Sequence, residues 1–341
     1  MDEIEDETVT LVVTSPPYWD VRDYGSDQIG FQQSYKDYIL ALNRVWKECV
    51  RVLQPNGKIA INLQPLPISS QKSGYGRRVI KDIMNDVENF MFDQGLFLSG
   101  MIFWDKAPYI NNVSWGSYPK PSNIATNTAF EQIYTFVKPG KTRPLDKHLV
   151  EKSLLSKDEW RHWAVRMVWD DISPVIKINQ HKENLFGHSA PYPEDIPYRL
   201  IRMHTLKNEL VVDPFLGSGT TLKMTRLTQR RGIGYEINPE YANLIKDRIM
   251  EEWTTPYIDS QYKTFSSRNI SKIIQESINI SLNFLEKYKI SSDNIYDQKK
   301  NEEEKNLILK AVLKTLRHQK ILSQANIKKI SEEFNNGINS S

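Results

Sequence analysis

Two short apolar runs, each followed at once by a loop motif, constrain the fold of this chain most strongly. Val9 to Val13 leads into Thr14-Ser15-Pro16-Pro17-Tyr18, and Glu209 to Val212 leads into Asp213-Pro214-Phe215-Leu216-Gly217-Ser218-Gly219-Thr220-Thr221. Apolar runs of this length are typical of buried strands. Both motifs are therefore predicted to lie where a strand opens into a loop, which is where open α/β sheets bind their ligands.

Strands and helices are predicted to alternate as far as Met250. Tyr35 to Leu53 has apolar side chains at helical spacing, and Lys58 to Leu63 has the pattern of a strand. Phe97 to Trp104 and Ala129 to Val137 are further predicted strands. This alternation predicts an α/β fold, with a mostly parallel sheet and helices on both of its faces.

The composition changes after Trp253. Lys, Asn, Ser, Ile and Glu dominate the remaining chain, and apolar side chains recur there at helical spacing, at Ile270, Ile273, Ile274, Ile278, Leu282 and Leu285. We therefore predict one catalytic domain over residues 1–252 and a helical appendage over residues 253–341.

Charge and composition disfavour several classes of protein. The net charge of +3 is too small for whole-molecule attraction to nucleic acid, so any phosphate-binding surface must be local. We find no stretch of about 18 apolar residues and no secretory leader, which predicts a cytoplasmic protein with no membrane partner. The 6 histidines have no Cys or acidic partners at ligand spacing, so no metal site is predicted.

The late motif has the character of a cofactor-binding turn. Gly217 and Gly219 allow a bulky cofactor to approach the backbone, and a helix starting near Thr220 exposes amide donors at its N-terminus. The spacing differs from the G-x-G-x-x-G of dinucleotide sites, and the Gly-Lys-Ser/Thr ending of a triphosphate loop is missing. A purely structural glycine turn is the alternative.

Five segments in one order carry a family resemblance. Ser15-Pro16-Pro17-Tyr18 comes first, followed by Ser114-Trp115-Gly116-Ser117, a His-x-x-Pro-x-Pro segment at His188, the late glycine motif, and Gly232-Ile233-Gly234-Tyr235-Glu236. Together they resemble the amino-group DNA methyltransferases that use S-adenosylmethionine, in the β-type order that places the catalytic motif before the cofactor motif. The resemblance spans Thr8 to Met250 and implies a Rossmann-like class I methyltransferase fold.

The resemblance also implies a site for S-adenosylmethionine. Asp213 is expected to face the cationic or ammonium end of the cofactor, and Glu236, at the next strand end, to bind both ribose hydroxyls. His188 and Ser189 are expected to close over the methionine part, although shaping a rigid proline-rich loop is an equal alternative for His188. The predicted cofactor residues are Asp213, Pro214, Phe215, Gly217, Ser218, Gly219, Thr220, Glu236, His188 and Ser189.

The first motif suits methylation of an exocyclic amine, whose lone pair is delocalised into the base. Hydrogen bonds from the amine to the Ser15 hydroxyl and the Pro16 carbonyl would localise that lone pair. Pro16 and Pro17 stiffen the loop, and Tyr18 offers a face on which an extruded base can stack. An ordinary turn with a core aromatic is the alternative for this motif standing alone.

The predicted reaction is methyl transfer to cytosine N4 in double-stranded DNA. Within the resemblance, Ser15 in place of Asp favours cytosine N4, and adenine N6 is the alternative. Carbon-5 methylation would need a nucleophilic Cys in the catalytic loop, whereas Cys49 lies on the apolar stripe of a predicted helix. An RNA or protein amine methyltransferase and a non-catalytic DNA-binding subunit are less favoured. A restriction endonuclease and a second copy of the chain are the partner proteins considered.

Sequence recognition in the family usually lies between the Ser-Trp-Gly-Ser and His-Pro segments, which indicates residues 138–182. Bases and aromatics interleave there, at Trp160, Arg161, His162, Trp163, Arg166 and Trp169, as suits phosphate and stacking contacts. Packing of the tryptophans against the sheet is the alternative. Trp19 to Phe31 is predicted to close around the extruded base.

Overall fold

The computed structural model describes residues 1–20, 28–108, 115–116, 121, 124–126, 128–141, 144–174 and 193–251. The chain divides into two units, Met1–Tyr257 and Ile258–Ser341, and the described residues all belong to the first. The predicted helical appendage at 253–341 lies outside the described residues, as do His188 and Ser189. The division into domains at residue 252 therefore stays a prediction.

Strands and helices alternate along the first unit. The described strands are β1 (Val9–Thr14), β2 (Leu53–Leu63), β3 (Leu66–Ile68), β4 (Val79–Lys81), β5 (Phe97–Asp105), β6 (Trp115–Gly116), β7 (Ile124–Ala125), β8 (Phe130–Val137), β9 (Val168–Trp169), β10 (Leu210–Asp213) and β11 (Arg231–Gly234). The described helices are α1 (Tyr35–Val52), α2 (Ile83–Asp93), α3 (Lys147–Ser153), α4 (Lys157–Trp163), α5 (Asp195–His204), α6 (Thr220–Leu227) and α7 (Tyr241–Met250).

The main sheet has 7 strands in the order β11-β10-β1-β2-β8-β5-β9. Within it, β8 runs antiparallel to its neighbours β2 and β5, and the pairings β11–β10, β10–β1, β1–β2 and β5–β9 are parallel. The predicted α/β fold with a mostly parallel sheet is therefore confirmed. Because β8 is reversed, its first residue lies at the edge where the other strands end.

The sheet is buried on both faces, as parallel sheets require. Val12, Ile59 and Val212 pack on one face against α1 and α2, whereas Leu11 and Val211 pack on the other against α5 and α6. Adjacent residues of one strand thus enter different cores, because side chains alternate across a strand. The prediction of helices on both faces is confirmed.

Helix α1 follows from its sequence. The Ser34 side chain caps its N-terminus by accepting a 3.1 Å hydrogen bond from the Asp37 amide, and Leu53 ends the helix by taking up an extended conformation. Cys49 is fully buried on the apolar face of α1, and this burial raises the pKa of its thiol. The predicted core role of Cys49 is confirmed.

Strand β2 begins earlier than the sequence predicts. Leu53 already pairs with Val9, but the next paired position joins Leu11 to Lys58, so the residues between them bulge out of the ladder. Asn56 has a φ of 64°, and its amide donates to the Lys138 carbonyl at 2.8 Å. The turn-forming residues after Leu53 therefore loop out within the strand instead of preceding it.

Candidate active site

The sheet brings the two sequence motifs together. Strands β1 and β10 are parallel neighbours in the register Leu11 to Val211 and Val12 to Val212, so both strands end at the same edge. The Ser15 loop and the glycine turn leave this edge side by side. The two loops are therefore neighbours in space, although about 200 residues separate them along the chain.

A cavity of about 420 Å³ lies between the two loops. Its volume falls within the range of about 300–1,000 Å³ that is usual for small-molecule sites. Most of the lining is apolar, with Glu236 as its carboxylate. The described residues that line the cavity are Ser15, Pro16, Pro17, Tyr18, Gln28, Ile29, Val45, Pro214, Phe215, Leu216, Gly217, Ser218, Thr220, Tyr235, Glu236, Ile237 and Tyr241.

The glycine turn takes a backbone shape that side chains oppose. Gly217 and Gly219 have φ values of 56° and 90°, both in the left-handed region. Gly219 is the N-cap of α6, and a Cβ atom there would lie 3.4 Å from the backbone and side chain of Ile245. The two glycines therefore allow a tight turn between β10 and α6, and Gly217 lines the cavity at this turn.

The Glu236 carboxylate is held in place by two backbone amides. Its Oε2 accepts from the Gly217 amide at 2.8 Å, and its Oε1 accepts from the Asn238 amide at 2.9 Å. These bonds tie the end of β11 to the glycine turn and fix a negative charge in the cavity wall. A fixed carboxylate can accept hydrogen bonds from two neighbouring hydroxyl groups.

Asp213 lies beneath the cavity and is not part of its lining. It is fully buried, and its oxygens accept from the hydroxyls of Thr14 and Thr221, both at 2.6 Å, and from the Phe215 amide at 3.0 Å. Burial raises the pKa of Asp213 to about 6, although these hydrogen bonds oppose the rise. Asp213 thus joins the two motifs, and its direct contact with a cofactor stays a prediction. Gly219 also lies outside the lining.

The Ser15 loop is anchored on both sides of its prolines. Thr14 holds Asp213 before them, and the Pro17 carbonyl accepts a 2.9 Å hydrogen bond from the Tyr38 hydroxyl after them. Ser15 is partly exposed between these anchors. Ser15 therefore lines the cavity on a loop that is anchored at both ends.

Three polar residues beside this loop were missed by the sequence analysis. Glu131 accepts hydrogen bonds from the Tyr18 hydroxyl, from the Asn62 amide and from the Lys106 ammonium group. In the sequence, the weak indication of this group is that Glu131 and Asn62 are polar residues within largely apolar strands. The partners of Glu131 come from three other elements, which the sequence does not connect.

The predicted recognition region is only partly a surface. Trp163 and Trp169 are fully buried, and Trp169 packs against the guanidinium of Arg199 at 4.9 Å. Of the two alternatives from the sequence, packing against the sheet therefore holds for these two tryptophans, which belong to the core. Trp160 remains 54% exposed, and Arg166 is paired with Asp170. Residues 175–182 of this region lie outside the described part.

The segment predicted to close around a base, Trp19 to Phe31, is described at its two ends. The Asp20 amide donates to the Gly30 carbonyl at 2.8 Å, and the Trp19 ring nitrogen donates to the Gln33 carbonyl at 2.9 Å. The closure itself stays a prediction, because residues 21–27 lie outside the described residues.

The described part of the chain has neither a membrane-spanning helix nor a cluster of metal-binding side chains. Among the described residues, no helix combines the length and apolar character needed to cross a bilayer. Over those residues, no group of three or more His, Cys, Asp and Glu side chains is placed to hold a metal ion.

Comparisons with known proteins agree with this geometry. The family model for N6/N4 methylases, described as DNA methylase, matches residues 9–247. The type II methyltransferase M.MthZI of Methanothermobacter thermautotrophicus is 31% identical over 270 residues, covering 74% of each chain. The type II methyltransferase M.MjaI of Methanocaldococcus jannaschii is 32% identical over 275 residues, covering 73% of this chain and 88% of the relative.

A solved structure shares the fold. The protein TTHA0409 of Thermus thermophilus, crystallised with S-adenosyl-L-methionine, aligns with a TM-score of 0.57 at 29% identity. The alignment covers 73% of this chain and 88% of that protein.

Proposed function

The chain belongs to the N6/N4 family of DNA methylases, and from this premise we propose that it transfers a methyl group to the N4 amine of cytosine in double-stranded DNA. The shared cavity carries the proposal. The Ser15-Pro16-Pro17-Tyr18 loop, the glycine turn and Glu236 all line it, which supports a reaction that brings a methyl donor and an acceptor amine together in one cavity.

The residues of the cavity fit S-adenosylmethionine. Ile29, Val45 and Phe215 offer apolar surface for an adenine ring, and the fixed Glu236 carboxylate offers acceptors for ribose hydroxyls. The left-handed Gly217 keeps side-chain bulk out of the wall. When bound, S-adenosylmethionine supplies the electrophilic methyl group of the reaction.

The Ser15 loop prepares the acceptor. Ser15 and Pro16 both line the cavity, and a serine hydroxyl and a backbone carbonyl are hydrogen-bond acceptors for the two N–H donors of the cytosine amine. Hydrogen bonds from these two N–H groups to Ser15 and Pro16 localise the lone pair on the nitrogen and direct it towards the methyl group. A hydroxyl is a weak base, so the surplus proton leaves the methylated amine for solvent. The Tyr18 ring supplies a stacking face for the extruded base.

The choice of cytosine depends on Ser15. The resemblance supports this choice, since within the family serine in place of aspartate at this position favours cytosine N4 over adenine N6. The type II relatives further support a role in restriction and modification, with a cognate endonuclease as the partner activity. Methylated DNA should then resist that endonuclease.

A product assay tests the proposal. The full chain is incubated with S-adenosylmethionine and unmodified DNA, the DNA is digested to nucleosides, and methylated products are identified by mass spectrometry. We expect N4-methylcytosine, and N6-methyladenine would overturn the choice of base. Cofactor binding without any DNA product would overturn the proposed function.

Variants of two serines connect the product to the site. Ser15→Ala removes one acceptor of the amine and should lower kcat by about a hundredfold, as for loss of one preorganised hydrogen-bond partner. Ser99→Ala is the matched control, because the Ser99 hydroxyl bonds the Thr135 carbonyl near the opposite end of β5. A Ser15→Ala variant as active as the control would exclude this role for Ser15.

A further inference from the structure

A polar cluster lies beside the Ser15 loop, on the side away from the glycine turn. Lys106 Nζ lies 2.9 Å from Glu131 Oε1 and 3.0 Å from Gln64 Oε1, and the Tyr18 hydroxyl lies 3.2 Å from Glu131 Oε2. The Asn62 amide also donates to Glu131 Oε2. We call Glu131, Lys106, Asn62 and Gln64 the edge cluster.

The sheet explains why these residues meet. Asn62 lies near the end of β2 and Gln64 directly follows that strand. Lys106 follows the end of β5, and Glu131 lies near the start of β8. Strands β2 and β5 end at the carboxyl edge, whereas the reversed β8 begins there. The edge cluster therefore occupies the same edge as the catalytic loop, over β2, β8 and β5, whereas the glycine turn lies over β10.

The central ion pair of this cluster is largely removed from water. The Lys106 and Glu131 side chains are 12% and 9% exposed. A buried ion pair gains little stability over apolar residues of the same volume, because removing both charges from water offsets their attraction. Stability alone therefore gives a poor account of this pair.

Tyr18 links the edge cluster to the cavity. Tyr18 lines the cavity, and its hydroxyl donates a hydrogen bond to Glu131, which is not among the lining residues. A tyrosine ring held at its backbone and at its hydroxyl has little freedom to swing. The orientation of the ring is thus fixed from the side of the cluster.

We propose that Glu131 is a positioning residue for methyl transfer, acting through the hydroxyl of Tyr18 with Lys106 and Asn62 holding its carboxylate in place. This inference rests on the proposed function. The ring of Tyr18 sets the plane of the stacked base, and hence the direction of the amine relative to Ser15 and Pro16. A small error in that direction is costly, since misplacement by about 1 Å can lower a rate by about a hundredfold.

The test is a double-mutant cycle on the full chain. Tyr18→Phe keeps the ring and removes the hydroxyl, and Glu131→Gln keeps the shape and removes the charge. We expect each variant to lower kcat by about tenfold or more and the double variant to be no slower than Glu131→Gln alone, because residues that act as a unit are not additive. The affinity for S-adenosylmethionine, measured by calorimetry, should change less than twofold.

Asp86→Asn is the matched control. Asp86 accepts a hydrogen bond from the Tyr35 hydroxyl, so the control also removes an acid that holds a tyrosine hydroxyl, but neither residue lines the cavity. It should lower thermal stability and leave kcat unchanged.

Three results would overturn the inference. They are a wild-type kcat for Tyr18→Phe, effects of Tyr18→Phe and Glu131→Gln that multiply in the double variant, and equal kcat losses in Glu131→Gln and Asp86→Asn. Tyr18→Phe decides the matter by itself if Glu131→Gln does not fold. Failure of the wild-type protein to methylate DNA would instead overturn the proposed function and is recognised before any variant is compared.

Discussion

The hydroxyl of Thr14 donates a 2.6 Å hydrogen bond to Asp213, across 199 residues of sequence. Thr14 is the last residue of β1 and Asp213 is the last residue of β10. This bond therefore couples the start of the catalytic loop to the start of the glycine turn. Loss of this hydrogen bond should therefore disturb both the Ser15 loop and the glycine turn.

Thr14→Val should loosen the junction of the two loops. The substitution keeps the shape of the side chain and leaves a buried carboxylate with one donor fewer, which costs about 1–3 kcal/mol. Urea unfolding measures the loss, and affinity for S-adenosylmethionine should fall with it. Thr8→Val is the control, because the Thr8 hydroxyl bonds Glu5 on the surface. Equal stability of the two variants would contradict the prediction.

Asp213 should give the protein a distinctive dependence on pH. Its pKa of about 6 in the folded chain exceeds the ordinary value of 3.8, so its contribution to stability is full below 3.8 and is lost as pH rises through 6. The free energy of unfolding of the wild type, minus that of Asp213→Asn, should fall by about 3 kcal/mol between pH 3.8 and pH 7.5. The negative charge of Glu236 adds to the rise in pKa. A difference that is constant with pH would refute the prediction.

His204 should give the free energy of unfolding the opposite dependence on pH. Its Nε2 is buried and has no partner among the described residues, and burial lowers its pKa from 6.5 to about 3. The stability it contributes is present above pH 6.5 and is lost as pH falls towards 3. Relative to His204→Phe, the wild type should lose about 2.3 kcal/mol between pH 6.5 and about pH 4.5, as measured by urea unfolding. Parallel curves for the two proteins would show that His204 is not held neutral.

Glu236→Gln should weaken binding of S-adenosylmethionine. Hydrogen bonds to a charged group contribute about 1.5–3 kcal/mol, so their loss corresponds to a fall in affinity of about ten- to a hundredfold. Calorimetry measures the affinity. Glu240→Gln, an exposed acid shortly after Glu236, is the control for the change in charge. If both variants bind equally well, Glu236 does not hold the ribose.

The sequence was sufficient for features that depend on neighbours along the chain. Strands β1 and β10 are short apolar runs, and the loops after them are marked by Pro16 and Gly217, so their position at strand ends could be predicted. Cys49 was assigned to the core by its spacing within one helix, and it is buried. Local periodicity determines such features.

Features that depend on packing between distant segments could not be predicted. The sequence does not distinguish the buried Trp163 from the exposed Trp160, because burial of Trp163 and Trp169 depends on Arg199 of α5. The contact of Glu131 with the Tyr18 hydroxyl likewise could not be predicted, because the two residues are 113 positions apart in the sequence. The bulge before Lys58 depends on how β2 pairs with β1, so the sequence of β2 alone does not predict it.

The reversed direction of β8 has a consequence for how such a protein can diversify. The chain leaves the carboxyl edge after β5 and re-enters the sheet at that edge, where the Lys106 amide donates to the Ala129 carbonyl at 2.9 Å. The segment between these residues is therefore closed at its base, and lengthening a closed loop costs little, about 0.6 kcal/mol for each doubling. We expect insertions and exchanges in this segment to be tolerated, because they leave the pairing of β5 with β8 and the cavity beside β1 and β10 unchanged.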